Sequence, residues 1–247
     1  MGKNKLSKFA DMNTFSNVLQ VPFNQVKHSD HPMKGNWNTN FFKNELPIVV
    51  ELGCGKGEYT VGLAELDATK NYVGVDIKGS RMWQGAKYAL DRGWTNVGFL
   101  RTHIELIDQF FAPGEVSEIW LTFPDPQMKK SRKRLTSTRF IAQYRRFLKP
   151  EGIVHLKCDS KFQYTYTLEM AKANSFEILA NDDNIYLKEN VPAALQIKTY
   201  YEKQWMGRGI AIKYISFIPH QNALIEPDVE IEEDTYRSFG RGALTVD

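Results

Sequence analysis

The stretch that most constrains this chain is Val49-Val50-Glu51-Leu52-Gly53-Cys54-Gly55-Lys56-Gly57-Glu58-Tyr59. The apolar run Ile48-Val49-Val50 reads as a strand buried on both faces of a parallel sheet. A carboxylate follows it, then three glycines in a G-x-G-x-G pattern. A helical pattern runs on from Glu58 to Leu66. Strand, glycine turn and helix, in that order, open the nucleotide site of a doubly wound α/β sheet. Glycine is needed there because side chains would hold a ligand away from the backbone. Glu51 sits at the carboxyl end of the first strand, the edge at which such sheets bind ligands.

Three ligands could use the turn. A P-loop requires G-x-x-x-x-G-K-[ST], which Gly53 to Tyr59 does not supply. A dinucleotide site has G-x-G-x-x-G, but here Gly57 comes one residue early and Glu58 stands in the third glycine's place. An acid at a helix N-terminus also competes with a pyrophosphate for the same N–H groups. A nucleoside without phosphates is left, such as S-adenosylmethionine, whose cationic sulfonium and amino groups suit Glu51. Taken alone, the pattern also fits a turn that only joins two elements. The second strand adds to the ligand reading. Asn71-Tyr72-Val73-Gly74-Val75-Asp76-Ile77 ends in an acid about twenty residues beyond the turn, where a βαβ unit places its ribose-binding carboxylate.

From Leu46 the chain alternates regularly. Expected strands lie at Ile48–Val50, Asn71–Ile77, Val97–Arg101, Glu118–Phe123, Ile153–Lys157, Phe176–Ala180 and Ile210–Phe217. Expected helices are Glu58–Leu66, Ser80–Arg92, Glu105–Phe111, Ser137–Leu148, Lys161–Ala173 and Tyr200–Met206. Such alternation predicts an α/β fold with a mostly parallel sheet and helices on both faces. Residues 1–45 read as a basic, partly disordered extension, with Lys3, Lys5, Lys8, Lys27, Lys34 and Lys43. Residues 46–219 read as one domain and 220–247 as an acidic tail.

Composition decides the partners. The net charge is only +3, but it is uneven. Lys129, Lys130, Arg132, Lys133, Arg134, Arg139, Arg145, Arg146 and Lys149 lie between Gln127 and Pro150 with no acid among them. A concentration of this kind points to a polyanionic partner. No apolar run approaches membrane-spanning length, so no membrane segment is expected. Cys54 and Cys158 belong to no C-x-x-C pair and the five histidines show no ligand spacing, so no metal is expected. The thiols suit a reducing, cytoplasmic setting.

A second constellation follows the fourth strand. In Phe123-Pro124-Asp125-Pro126 two prolines stiffen the backbone around one aspartate. Asp125 should therefore project from a rigid loop beside the glycine turn. A structural turn with a solvated aspartate is the alternative, and the adjoining Lys129–Arg134 run weighs against it. Lys157-Cys158-Asp159 puts another carboxylate on the same edge. Thr199-Tyr200-Tyr201-Glu202 opens the last helix and, taken alone, reads as a capped helix start.

Together these motifs resemble the tRNA (guanine-N7-)-methyltransferases, over about Leu46 to Pro219. The shared elements are Glu51-Leu52-Gly53-Cys54-Gly55-Lys56-Gly57, Val73-Gly74-Val75-Asp76, Phe123-Pro124-Asp125-Pro126, Lys149-Pro150-Glu151-Gly152, Lys157-Cys158-Asp159 and Thr199-Tyr200-Tyr201-Glu202. The glycine turn is common to many methyltransferases, whereas F-P-D-P with the following basic run and the late T-x-x-E are specific. The resemblance implies a Rossmann-like class I fold, with a seven-stranded sheet whose last strand is antiparallel. It implies S-adenosylmethionine as methyl donor and N7 of a variable-loop guanine in tRNA as acceptor; the sequence leaves monomer or homodimer open. Glu51, Gly53, Gly55, Asp76, His103 and Asp125 match cofactor positions, and Asp125 the catalytic one as well. Lys129, Asp159, Thr199, Tyr200, Tyr201 and Glu202 match substrate positions. Three departures stand out. His103 takes the place of an aspartate near the adenine, Gln127-Met128 replace a W-P pair, and the basic run is about two residues shorter. Two rival readings are a non-catalytic RNA-binding protein on the same fold and a methyltransferase for another nucleic-acid or protein substrate. Amide and amine methyltransferases often carry N-P-P-Y or D-P-P-Y after the fourth strand, and this chain lacks that tyrosine.

Overall fold

The computed structural model describes residues 3–237. The elements in order are α1 (Lys3–Met12), β1 (Val18–Gln20), α2 (Phe23–Val26), a π-helical turn (Trp37–Phe42), β2 (Ile48–Leu52), α3 (Glu58–Leu66), β3 (Asn71–Asp76), α4 (Gly79–Asp91) and β4 (Val97–Arg101). They continue with a 3-10 turn (Ile104–Gln109), β5 (Val116–Thr122), α5 (Thr138–Tyr144), β6 (Leu148–Cys158), α6 (Lys161–Ala173), β7 (Glu177–Asp182), α7 (Ala193–Gln196), α8 (Tyr200–Met206) and β8 (Lys213–Ile218).

One mixed sheet runs in the order β1-β4-β3-β2-β5-β6-β8-β7. Its central pairings are parallel, and β8 alone runs antiparallel, between β6 and β7. The expected seven strands become eight because β1 pairs in parallel with Phe99–Arg101 of β4. All five side chains of β2 are buried, the apolar run Ile48-Val49-Val50 as expected and the carboxylate of Glu51 with it. Val49 and Val50 point to opposite faces, because successive strand residues alternate. Val49, Tyr72, Phe99 and Trp120 pack under Leu63 of α3 and Met82 and Ala86 of α4. Val50, Val73, Leu121 and Leu156 pack under Phe140 of α5 and Met170 of α6.

Residues 1–45, expected as an irregular arm, are structured from Lys3 onward. Trp37 is fully buried, donates Nε1–H to the Phe110 carbonyl at 2.8 Å and stacks on Phe111 at 13°. Asp11 of α1 accepts from Trp83 Nε1 of α4 at 3.0 Å. The acidic tail expected over 220–247 lies outside the described residues beyond Arg237. Its described part runs back over α6, where Asp234 accepts from the Ser160 hydroxyl and from the Phe162 N–H. Among the described residues no helix is long and apolar enough to cross a membrane.

The chain leaves β2 toward β3 and β4 on one side, and reaches β5 and β6 on the other. The topological switch point therefore lies between β2 and β5, where open α/β sheets bind ligands.

Candidate active site

The carboxyl ends of β2, β3 and β5 border a cleft of about 510 Å³. Glu51 sits at its floor, 2% exposed. Thr60, in the first turn of α3, and Thr122, at the end of β5, each donate a hydroxyl to one of its carboxylate oxygens. Burial pushes the Glu51 pKa above the usual carboxylate range; the two threonines act against this and the charge of Asp76 adds to it. The sequence reading missed both threonines. Asking which donors could satisfy a carboxylate inside a buried strand would have found Thr122, two residues beyond Trp120, the register partner of Glu51.

Gly53 and Gly55 take φ values of +86° and +55°, and a Cβ added at Gly53 would stand in open space. The backbone here is thus bare toward the cleft. Asp76 fixes the turn from β3. Its Oδ2 accepts from Gly55 N–H at 3.0 Å and its Oδ1 from Lys78 N–H at 2.7 Å. A carboxylate has about four acceptor positions, so each oxygen can accept once more, which suits a vicinal diol. Gly57 serves packing instead: a Cβ there would lie 2.6 Å from the Phe99 ring and 3.2 Å from Gly85 Cα.

Asp125 follows β5, exposed between two buried prolines. The residues around it are bent. Phe123 and Gln127 take φ of +50° and +48° without being glycine. Such conformations cost about 1–3 kcal/mol each and concentrate at functional sites. Gln127 N–H donates to Asp125 Oδ1 at 3.0 Å, which holds the carboxylate in an Asx turn.

Of the residues expected at the site, Glu51, Gly53, Gly55, Asp76, Asp125, Thr199 and Tyr201 line this one cleft. His103 lines an adjoining recess of about 250 Å³ that shares Gly53 and Asp76 with it. Its ring meets Phe23 edge-on at 5.4 Å. The other expected positions lie off the cleft. Lys129 is exposed beside it. Tyr200 lies at the rim under the Lys56 ammonium, 3.9 Å from its ring. Asp159 is 1% exposed and accepts from the Tyr236 hydroxyl at 2.8 Å. Glu202 is fully buried and paired with Lys157 at 2.8 Å. Thr199 caps α8 by accepting from Glu202 N–H at 3.2 Å, so T-x-x-E closes as a helix start while its glutamate turns inward. Lys133, Arg81 and Trp205 also line the cleft, and sequence reasoning did not single out their contact with it. A larger recess of about 720 Å³ lies behind α3, away from Glu51, Asp76 and Asp125. Among the described residues no group of three or more His, Cys, Asp or Glu side chains is placed to hold a metal ion.

Solved structures share this architecture. An antibiotic-related methyltransferase matches with a TM-score of 0.56 and 16% identity, covering 79% of this chain and 97% of that one. The 16S rRNA (adenine(1408)-N(1))-methyltransferase from Catenulisporales acidiphilia matches with a TM-score of 0.55 and 13% identity, covering 80% of this chain and 98% of that one. At those identities the likeness speaks for the fold, and the fold is that of a class I methyltransferase. Residues 45–214 match a family model described as "Putative methyltransferase". The tRNA (guanine-N(7)-)-methyltransferase of Bacteroides thetaiotaomicron is 57% identical over 242 residues, covering 98% of this chain and 96% of that protein. The protein of the same name from Porphyromonas gingivalis is 54% identical, covering 93% and 96%. This chain belongs to the tRNA (guanine-N(7)-)-methyltransferase family.

Proposed function

We propose that the protein transfers a methyl group from S-adenosylmethionine to N7 of a guanine in the variable loop of tRNA, giving 7-methylguanosine. The observation that carries this reading is that Glu51, Asp76 and Asp125 border one cleft at the switch point. The names of the relatives supply the substrate. The donor fits the residues present. Glu51 suits its amino group, Asp76 its ribose diol, the bare backbone at Gly53 and Gly55 its close approach, and the His103 recess its adenine. When bound, it supplies an electrophilic methyl group on a sulfonium.

Guanine N7 carries an in-plane lone pair and no hydrogen, so no side chain has to remove a proton. Alignment and charge are what the protein must provide. Asp125 is placed to accept from guanine N1–H or N2–H and to favour the positive charge that grows on the ring. Its Asx turn holds the carboxylate before substrate arrives. Thr199 and Tyr201 bound the cleft on the α8 side. Lys129, Lys130, Arg132 and Lys133 stand exposed next to the Asp125 loop and hold phosphates, which gives affinity without base identity. Asp159, held by Tyr236, and Glu202, paired with Lys157, shape the substrate wall from behind. In this reading the protein works on tRNA in the cytoplasm, as a monomer or a homodimer.

The test is incubation of bulk tRNA with the protein and labelled donor, followed by nucleoside analysis. The parent should form 7-methylguanosine. Asp125→Asn should lower the single-turnover rate by about a hundredfold or more, the size of one preorganised electrostatic group. Raising the pH should not restore it, because no proton leaves N7. tRNA binding without any methylated nucleoside would sink the proposal.

A further inference from the structure

The basic run Lys129–Arg134 divides in two. Lys129, Lys130, Arg132 and Lys133 are exposed, whereas Arg134 is 3% exposed. A buried guanidinium needs partners for its donors. Arg134 finds them in the loop that carries Asp125. Its Nε donates to the Pro126 carbonyl at 2.9 Å, and its Nη2 donates to the carbonyls of Gln127 at 3.2 Å and Met128 at 3.4 Å. Its guanidinium carbon lies 3.9 Å from the centroid of the Tyr166 ring and 4.8 Å from that of Phe162. Both rings belong to α6, and Tyr166 is anchored in turn through its hydroxyl to Glu226 at 2.6 Å.

The three carbonyls follow Asp125 directly in the chain. Gln127, the middle one, has its φ at +48° and gives its N–H to Asp125. A glutamine rarely stays in that region unless its surroundings over-determine it. The fork of Arg134 supplies that constraint and transmits the rigidity of α6 to the loop. We infer that Arg134 is a positioning residue, a clamp on the Pro126–Met128 backbone that fixes the Asp125 carboxylate, and that it makes no phosphate contact. The inference rests on the role of Asp125 proposed above.

A lysine at this position brings one ammonium and loses the planar fork that spans successive carbonyls. The experiment compares Arg134→Lys and Arg134→Ala with Arg132→Ala and Asp125→Asn in the full chain. Circular dichroism and the thermal unfolding midpoint serve as the control for folding. Two independent readouts are amide hydrogen exchange across residues 124–130 and single-turnover methyl transfer at saturating enzyme. The clamp predicts faster exchange at the Gln127 and Lys130 amides in Arg134→Lys. It predicts a transfer rate lower by roughly tenfold to a hundredfold, the scale of a misplaced catalytic group. The salt dependence of tRNA binding should match the parent's, whereas Arg132→Ala should reduce it and leave loop exchange unchanged. Millimolar guanidinium should raise the rate of Arg134→Ala and leave Asp125→Asn unaffected. Unchanged loop exchange, or a salt dependence reduced as in Arg132→Ala, would overturn the clamp. Faster exchange together with a normal rate in Asp125→Asn would instead overturn the role given to Asp125, and with it the clamp's part in the reaction.

Discussion

Replacing Glu202 by glutamine separates two roles for the T-x-x-E element. The family resemblance gives this glutamate to the substrate, and the structure gives it to the core. Its side chain and that of Lys157 are both 0% exposed and meet at 2.8 Å. Lys157 Nζ also donates to the carbonyls of Leu195 at 2.8 Å and Ile197 at 2.9 Å, and the Tyr186 hydroxyl donates to Glu202 at 2.6 Å. An amide keeps an acceptor for the ammonium and removes its counter-charge. Breaking a buried pair costs about 3–5 kcal/mol, and the retained hydrogen bond puts Glu202→Gln at the lower end. About 3 kcal/mol corresponds to a Tm lower by roughly 6–12 °C in a chain of this size. The loss should depend on pH. Burial pushes the Lys157 pKa down to about 8, against the pull of Glu202. The unfolded chain keeps that proton until about pH 10.4. In this window the unfolded state binds more protons, so parent stability rises with pH. Without Glu202 the folded-state value drops below that, so the deficit is larger near pH 6 than at about pH 8, above which it no longer changes. Thermal and urea unfolding at both pH values measure this, with tRNA affinity and single-turnover rate taken well below the transition. A variant with the parent's Tm whose tRNA binding or transfer collapses would refute the reasoning and return Glu202 to the substrate.

Three further outcomes are expected. Glu51→Gln should weaken donor binding by about 1.5–3 kcal/mol, the worth of a hydrogen bond to a charged group, as read by calorimetric titration. Because the Glu51 pKa is raised, protonation favours the folded state and removes the charge proposed to hold the donor. Parent donor affinity should therefore fall as pH drops from neutral, while the variant's affinity stays flat and its Tm at neutral pH does not fall; equal pH profiles would speak against the assignment. Alanine at Lys129 and Lys130 should lower the slope of log affinity for tRNA against log salt by somewhat less than about one unit per lost contact, and an unchanged slope would mark them as solvated bystanders. Trp37→Ala should cost about 3–5 kcal/mol in urea unfolding, whereas a loss below about 0.5 kcal/mol would mean that the N-terminal stretch is a loose arm.

Long elements with a strong period were legible in the sequence. Helices Glu58–Leu66, Lys161–Ala173 and Tyr200–Met206 fall where the sequence puts them, as do the strands that carry Glu51 and Asp76. β1 was not legible, because three residues at a sheet edge show no period and form only against β4. β6 begins at Leu148, earlier than Ile153, because Lys149-Pro150-Glu151-Gly152 reads as a helix stop while Leu148 pairs with Val116. At the site, residue type revealed the carboxylates, since an acid ending an apolar strand is conspicuous. Burial was what the sequence could not show. Arg134 looks like one more cation in a basic run, and Glu202 like one more helix-start acid. Each is decided by aromatic rings or a lysine from distant parts of the chain.

The position of β8 has a consequence for biosynthesis. β7 spans Glu177–Asp182, yet its partner in the sheet is β8, and β8 spans Lys213–Ile218. During translation β7 emerges first and has no neighbour to pair with, because β8 fills the place between it and β6. Until then the open edge is that of β6, whose Val154, Leu156 and Cys158 are buried in the finished protein. An unpaired apolar edge invites pairing with other chains. Translation that stalls between β7 and β8 should therefore yield an aggregation-prone chain, although the sequences for the glycine turn and the Asp125 loop have already been made.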